Sequence, residues 1–141
     1  MRAVIQRANG ASVSVDGRQI GGFDGPGLVV LLGVTHDDAE SQAQNMARKV
    51  AELRIMKDEQ SASDLAAPVL LISQFTLYGS TKKGRRPSWV AAAPGPVAQP
   101  LVDRVAELLA ARGLPVSQGE FGADMQVSLT NDGPVTVIVD T

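Results

Sequence analysis

Polar and apolar positions alternate in the first fifteen residues. Val4 and Gln6 lie in one short alternating run and Ser12 to Val15 forms another, the pattern of half-buried β-strands. Asp16-Gly17 follows, a dipeptide suited to the positive φ angles of a tight hairpin turn, and Arg18 to Ile20 is the expected return strand. The cluster Gly21, Gly22, Gly25, Pro26 and Gly27 then reads as a break. Leu28 to Leu32 is uniformly apolar, which predicts a strand buried on both faces.

The period then changes. Ala39, Ala43, Met46, Ala47, Val50 and Leu53 recur at spacings of three and four, which predicts an amphipathic helix over 37–53. Asp37 and Glu40 have capping-box spacing at its start, and Arg48 and Lys49 suit the dipole nearer its end. Met46 and Met56 read as core. Residues 57–68 are small and polar and read as a loop. Val69 to Leu77 reads as a strand that begins apolar and turns polar at Ser73-Gln74, followed by a basic loop over 78–88. Leu101, Val105, Leu108 and Leu109 mark a second helix over 97–112. Pro100 is tolerated only near its first turn, and Gly113 and Pro115 mark its end. Met125, Val127 and Leu129 alternate with polar neighbours, Asn131-Asp132-Gly133-Pro134 reads as a turn, and Val135 to Val139 closes the chain as a strand. The order of elements predicts an α/β fold, one domain over 1–141 with a mixed sheet packed by two main helices.

Composition narrows the chemistry. With 141 residues, 44% hydrophobic and 20% charged, the chain can bury one core without a covalent staple. It has no Cys, which excludes disulfides, thiolate nucleophiles and Cys-ligated zinc. His36 is the single His, so a multi-His metal site is excluded within one chain and a Ser-His-Asp triad could use only that residue. Its place just before a helix favours a surface role. No metal and no cofactor is expected. The longest apolar stretch, Leu28 to Val34, is far too short to span a bilayer, and the N-terminus lacks the apolar block of a signal peptide, so the expected location is the cytoplasm. Residues 65–102 hold Lys82, Lys83, Arg85 and Arg86 and none of the fifteen acidic residues. A basic loop on a mildly acidic chain points to a local anionic partner.

Three stretches could carry chemistry. Ser73-Gln74-Phe75-Thr76 places hydroxyls and an amide where a buried strand leaves the core, either lining a pocket or capping backbone. Asn131 to Pro134 is an ordinary turn signal with an odd Pro directly after Gly, where a cis bond is open. Lys82 to Pro87 is either a solvated loop or a phosphate contact. Trp89 beside it could stack on a base, but packing beneath the loop is favoured.

Taken together, MRAVIQR, SQFTLYG, KKGRRPSW and FGADMQVSLTNDGPVT resemble, in order and over nearly the whole chain, the D-aminoacyl-tRNA deacylase family of bacterial and eukaryotic type. SQFTL and NDGPVT about sixty residues apart are the specific pair. One departure is visible: Lys57 to Pro68 is a few residues shorter than the family pattern. The resemblance implies a barrel-like mixed sheet and hydrolysis of the ester between a D-amino acid and tRNA. It also implies a homodimer with two sites at the interface. The matching pocket strand is Ser73, Gln74, Phe75 and Thr76, and Phe121, Met125 and Ala92 match pocket-lining positions. Gly133-Pro134 matches a cis motif that enters the partner's site and rejects L-amino acids, braced by Arg7. Catalysis is implied to use the 2′-hydroxyl of the tRNA's terminal ribose, with amides near Phe75 and Thr76 binding the carbonyl oxygen. An older idea for the family makes Thr76 a nucleophile, but no residue is an obvious base for it. Glycyl-tRNA is an expected further substrate. Without the resemblance, the basic loop would also suit an RNA-binding module, and the mixed sheet a small-molecule-binding dimer.

Overall fold

Asp16 and Gly17 adopt φ of 49° and 76°, and the chain reverses there as a two-residue hairpin. In the computed structural model, which describes residues 1–141, this turn joins two long antiparallel strands, β1 (Arg2–Val15) and β2 (Arg18–Gly33). The alternating runs at the N-terminus are therefore parts of one strand. The Gly-rich cluster does not break β2. The ladder continues through it with a register shift between the Asn9–Pro26 and Ala11–Phe23 pairs. Bulges of this kind bend a strand without ending its pairing. Gly22 must be glycine, because its φ is +150° and a Cβ would strike the Ala11 carbonyl.

The chain then forms α1 (Glu40–Glu52), the one-turn helix α2 (Ala62–Leu65), β3 (Val69–Ser73), α3 (Gly95–Ala111), β4 (Val116–Gln118) and β5 (Gln126–Asp140). The sheet order is β4-β3-β2-β1-β5. β2, β3 and β4 are parallel neighbours, while β1 is antiparallel to both β2 and β5. The bend in β2 brings its first half over β4, where the Gly22 N–H donates to Ser117 Oγ at 3.2 Å. The mixed sheet is thus curled towards a barrel and has two apolar faces. The outer face packs under the helices through Ile5, Leu28, Val30, Met46, Val50, Val105 and Leu109. The inner face gathers Val13, Val29, Leu70 and Ile72, with Phe23, Met125 and Val127 packed against them.

Several local expectations need correction. α1 begins at Glu40, not Asp37. The acid that matters is Asp38, whose two oxygens take the Met1 ammonium at 2.5 Å and the Thr35 N–H at 2.8 Å, so the cap falls to Gln42 accepting from the Ala39 N–H at 2.9 Å. Residues 57–68 are not all loop. Lys57–Glu59 forms a 3-10 turn, and Ser61 and Asp64 cap α2 reciprocally at 3.1 and 2.8 Å. The strand expected over 69–77 stops at Ser73. α3 starts two residues early, so Pro100 falls in its second turn; it lies on the exposed face, where water can serve the carbonyl it leaves unpaired. Its buried stripe includes Ala98, Val102 and Ala106, small residues that let it approach the sheet closely. Residues 131–134 do not join two strands by a hairpin: β5 continues past them as one strand, paired with β1 up to Asn131 and again from Thr136. Met46 and Met56 are core, as expected.

Candidate active site

Where β3 ends, Gln74 turns the chain (φ −142°, ψ 80°) into a 3-10 turn over Phe75–Tyr78. The Gln74 N–H still pairs with the Leu32 carbonyl at 2.8 Å, so the turn is pinned to the end of β2. The first N–H groups of a helical turn have no carbonyl behind them to bond. Those of Phe75 and Thr76 take no part in the turn, loop and cap bonds of the chain, whereas the Leu77 N–H bonds the Gln74 carbonyl at 3.2 Å.

Beside this turn lies a pocket of about 270 Å³. Its floor is Leu32 and Ile72 from the sheet with Val34 just past the end of β2, its wall is Ala98 and Val102 from α3, and its rim is Ser73, Gln74 and Phe75. Phe121, Met125 and Val127 close the far side. No lining residue is ionisable, and Ser73 carries the only hydroxyl. The single tyrosine of the chain, Tyr78, is held neutral: burial first, then the charge of Asp38, pushes its phenol up to about 12.

The structure brings Ser73, Gln74, Phe75, Phe121 and Met125 together, although about fifty residues of chain separate the two groups. Thr76 stands outside the lining, exposed, and its Oγ1 accepts from Gln74 Nε2. Ala92 pairs with Thr35 at the end of β2, and its neighbour Ala93 lines the pocket. His36 is exposed, and its Nε2–H donates to the Val90 carbonyl at 2.8 Å, holding the same segment from outside the pocket. The His36→Ala protein is expected to keep deacylation within a few-fold of native. A loss of about 10³, the scale of a general base, would place proton transfer on this ring.

Trp89 is less buried than a core residue. It meets Phe75 edge-on, 5.4 Å between ring centres, over the space where a Cβ of Gly79 would project, and stays 42% exposed beside a Phe75 that is 56% exposed. The basic loop is closed at its neck by paired bonds of 2.8 and 2.9 Å between Ser80 and Ser88. Lys82, Lys83, Arg85 and Arg86 are exposed, and none joins an ion pair.

Gly133 and Pro134 are exposed, joined by a cis peptide bond, and absent from the pocket of their own chain. Arg7 reaches them from β1. Its Nε donates to the Asp132 carbonyl at 3.1 Å and its Nη1 to the Ile55 carbonyl at 3.3 Å, with Asp132 Oδ2 3.5 Å from Nε. Pocket walls at Val34, Ala93, Ala98, Val102 and Val127 escape a reading by motif. The available signal was that Ala98 and Val102 continue the Val105–Leu109 stripe towards the start of α3 with smaller side chains.

The candidate site is thus an apolar pocket with unpaired amide donors at its rim and no side-chain acid or base. A family model described as D-Tyr-tRNA(Tyr) deacylase matches residues 4–140. The chain is 63% identical over 140 residues to a D-aminoacyl-tRNA deacylase of Kineococcus radiotolerans and 62% identical over 140 residues to that of Streptomyces coelicolor, covering 99% of each chain in both pairs. Among solved structures, one named c-Myc DNA Unwinding Element Binding Protein superposes with a TM-score of 0.92 at 38% identity, covering 100% of this chain and 99% of the other. A probable eukaryotic D-amino acid tRNA deacylase superposes at 0.84 with 18% identity over 99% and 98% of the two chains, a likeness of fold. The chain belongs to the D-aminoacyl-tRNA deacylase family, and it is a carboxylic ester hydrolase of that class. No helix in it is long and apolar enough to cross a membrane.

Proposed function

We propose that the protein hydrolyses the ester of D-aminoacyl-tRNA, and of glycyl-tRNA, by positioning the substrate so that the RNA supplies its own catalytic hydroxyl. The observation that carries this reading is the pocket without an ionisable side chain. Water attacks the carbonyl carbon, held or activated by the terminal 2′-hydroxyl. The oxyanion is met by the amides of Phe75 and Thr76, and the ester C–O bond breaks as the ribose 3′-oxygen takes a proton. Donors so placed commonly contribute about 10²–10³ in rate each. Thr76 is a poor nucleophile here, because its oxygen already accepts from Gln74 and no base stands beside it. Ser73, Gln74, Phe121, Met125 and the segment at Ala92 shape the cleft.

Gly133 and Pro134 act as the chirality filter. They lie outside their own pocket, so a wall made by them needs a second copy of the chain, with each protomer's motif, braced by Arg7, entering the other's site. The exposed Ile138 on β5, an edge strand, gives that copy an apolar contact. The direct test is deacylation of D-Tyr-tRNA, L-Tyr-tRNA and Gly-tRNA at equal enzyme. Release from the first and third but not the second supports the reading, and efficient L-Tyr release defeats the filter.

Lys82, Lys83, Arg85 and Arg86 contact tRNA phosphates. Neutralising all four is expected to reduce the slope of log affinity against log salt by about 3, at about 0.7–0.9 per phosphate. An unchanged slope means the loop is only solvated. The DNA element in the name of the 38%-identical structure favours a second reading, nucleic-acid binding without turnover. Binding of D-Tyr-tRNA with no release would select it.

A further inference from the structure

β5 does not run evenly beside β1. Gln6 pairs with Thr136 and Ala8 with Asn131, so Asp132 to Val135 bow out of the ladder between two adjacent pairs. Gly133 and Pro134 sit at the tip of this bow. A four-residue bow on an edge strand has no ladder of its own, so its shape depends on side chains at its neck.

Arg7 grips the outgoing limb through the Asp132 carbonyl. The returning limb is held differently. Asn131 Oδ1 accepts the Val135 N–H at 3.2 Å, and Asn131 Nδ2 donates to Thr136 Oγ1 at 2.9 Å. Gln6 Nε2 donates to that same oxygen at 3.4 Å, tying the neck back to β1. The carboxamide thus spans from the last paired residue before the bow to the first two residues of its return. An acceptor and a donor on one short side chain are both needed. Asp keeps the acceptor and lacks the donor, and Ala has neither.

We propose that Asn131 is a positioning residue whose carboxamide closes the neck of the 132–135 bow and so sets where Gly133 and Pro134 point. The proposal rests on the reading of Gly133-Pro134 as the chirality filter. Asn131 does not line the pocket, so its loss should be felt in selectivity before turnover.

The test uses the full chain with Asn131→Ala, Asn131→Asp, Thr136→Val and, as a control on the filter, Gly133→Ala. Rates are measured on D-Tyr-tRNA and L-Tyr-tRNA, with hydrogen exchange followed over 131–137. Asn131→Ala is expected to keep D-Tyr release within about threefold, to raise the L-to-D rate ratio about tenfold, the scale of one hydrogen bond lost, and to speed exchange at Val135. Asn131→Asp and Thr136→Val should raise the ratio less. If Asn131→Ala does not fold, Asn131→Asp carries the same test. An unchanged ratio in the Asn131 variants, with a raised ratio in Gly133→Ala, overturns the clamp and leaves the filter standing. An unchanged ratio in all of them overturns the filter and the clamp together. A fall in D-Tyr release with the ratio unchanged marks Asn131 as structural only and also overturns the clamp.

Discussion

A D-Tyr-tRNA whose terminal adenosine carries hydrogen in place of its 2′-hydroxyl is expected to bind and to resist hydrolysis. With the amino acid linked at the 3′-oxygen, turnover should fall by about 10³, within the range for a lost general base. The reason lies in what surrounds the ester. The pocket wall offers aliphatic and aromatic carbon, one serine hydroxyl, one carboxamide and backbone amides, and nothing that exchanges a proton near neutral pH. His36 is turned outward to Val90, and the Tyr78 phenol is held protonated. Binding should survive because the proposed phosphate contacts and amino-acid cleft are untouched. The measurement is single-turnover cleavage with matched 2′-hydroxyl and 2′-deoxy substrates, alongside a direct affinity. Equal rates would return the chemistry to Thr76 or to a water bound by the protein.

Local pattern and long-range geometry were legible to different degrees. The helix stripe Ala43, Met46, Ala47 and Val50 is buried as its period demands, and the Asp16-Gly17 hairpin forms where its φ angles require. The failures share a cause: each residue answered to a neighbour distant in sequence. Asp37 has the spacing of a cap, but its neighbour Asp38 is drawn to a buried ammonium, and the helix starts only at Glu40. The Gly-rich stretch reads as a break by local propensity, yet β1 and β4 lie on either side of it and its glycines let the strand bend between them. Gln74 ends β3 early because the chain must turn across the end of β2 to form a pocket rim.

The site shows the same division. Ser73 to Phe75 stood out because polar residues at the end of a buried strand are unusual. Phe121 and Met125 carry no such signal, and only the family resemblance joined them to that strand. Ala93, Ala98 and Val102 were missed because a pocket wall of small apolar residues looks like any core in one dimension.

L-Tyr-tRNA, refused by the native protein under the proposed reading, is expected to be hydrolysed by the Gly133→Ala variant. A D-amino acid substrate class has no common side chain to recognise, so a site that selects by contact would favour some residues over others. Excluding whatever projects in the L direction needs no such recognition, but the excluding surface must be rigid and closely placed. Gly133 has φ of +129°, and an added Cβ would lie 2.9 Å from Val135 Cγ2, 3.0 Å from Arg7 Nη2 and 3.0 Å from the Val135 nitrogen. The last of these is backbone and cannot swing aside. The tip of the bow must therefore move, and Arg7 with it. A shift approaching 1 Å in a positioning surface costs about 10², and discrimination between D- and L-Tyr-tRNA should fall by about that factor. Gly-tRNA, with no side chain to exclude, should be cleaved by both proteins at similar rates. Gly25→Ala is the matching control, since it also has positive φ (+70°) but nothing within 4 Å of the new methyl group. It puts a methyl group at positive φ without a clash and should keep its selectivity. A folded Gly133→Ala protein that still refuses L-Tyr-tRNA would show that the discriminating surface lies elsewhere in the cleft.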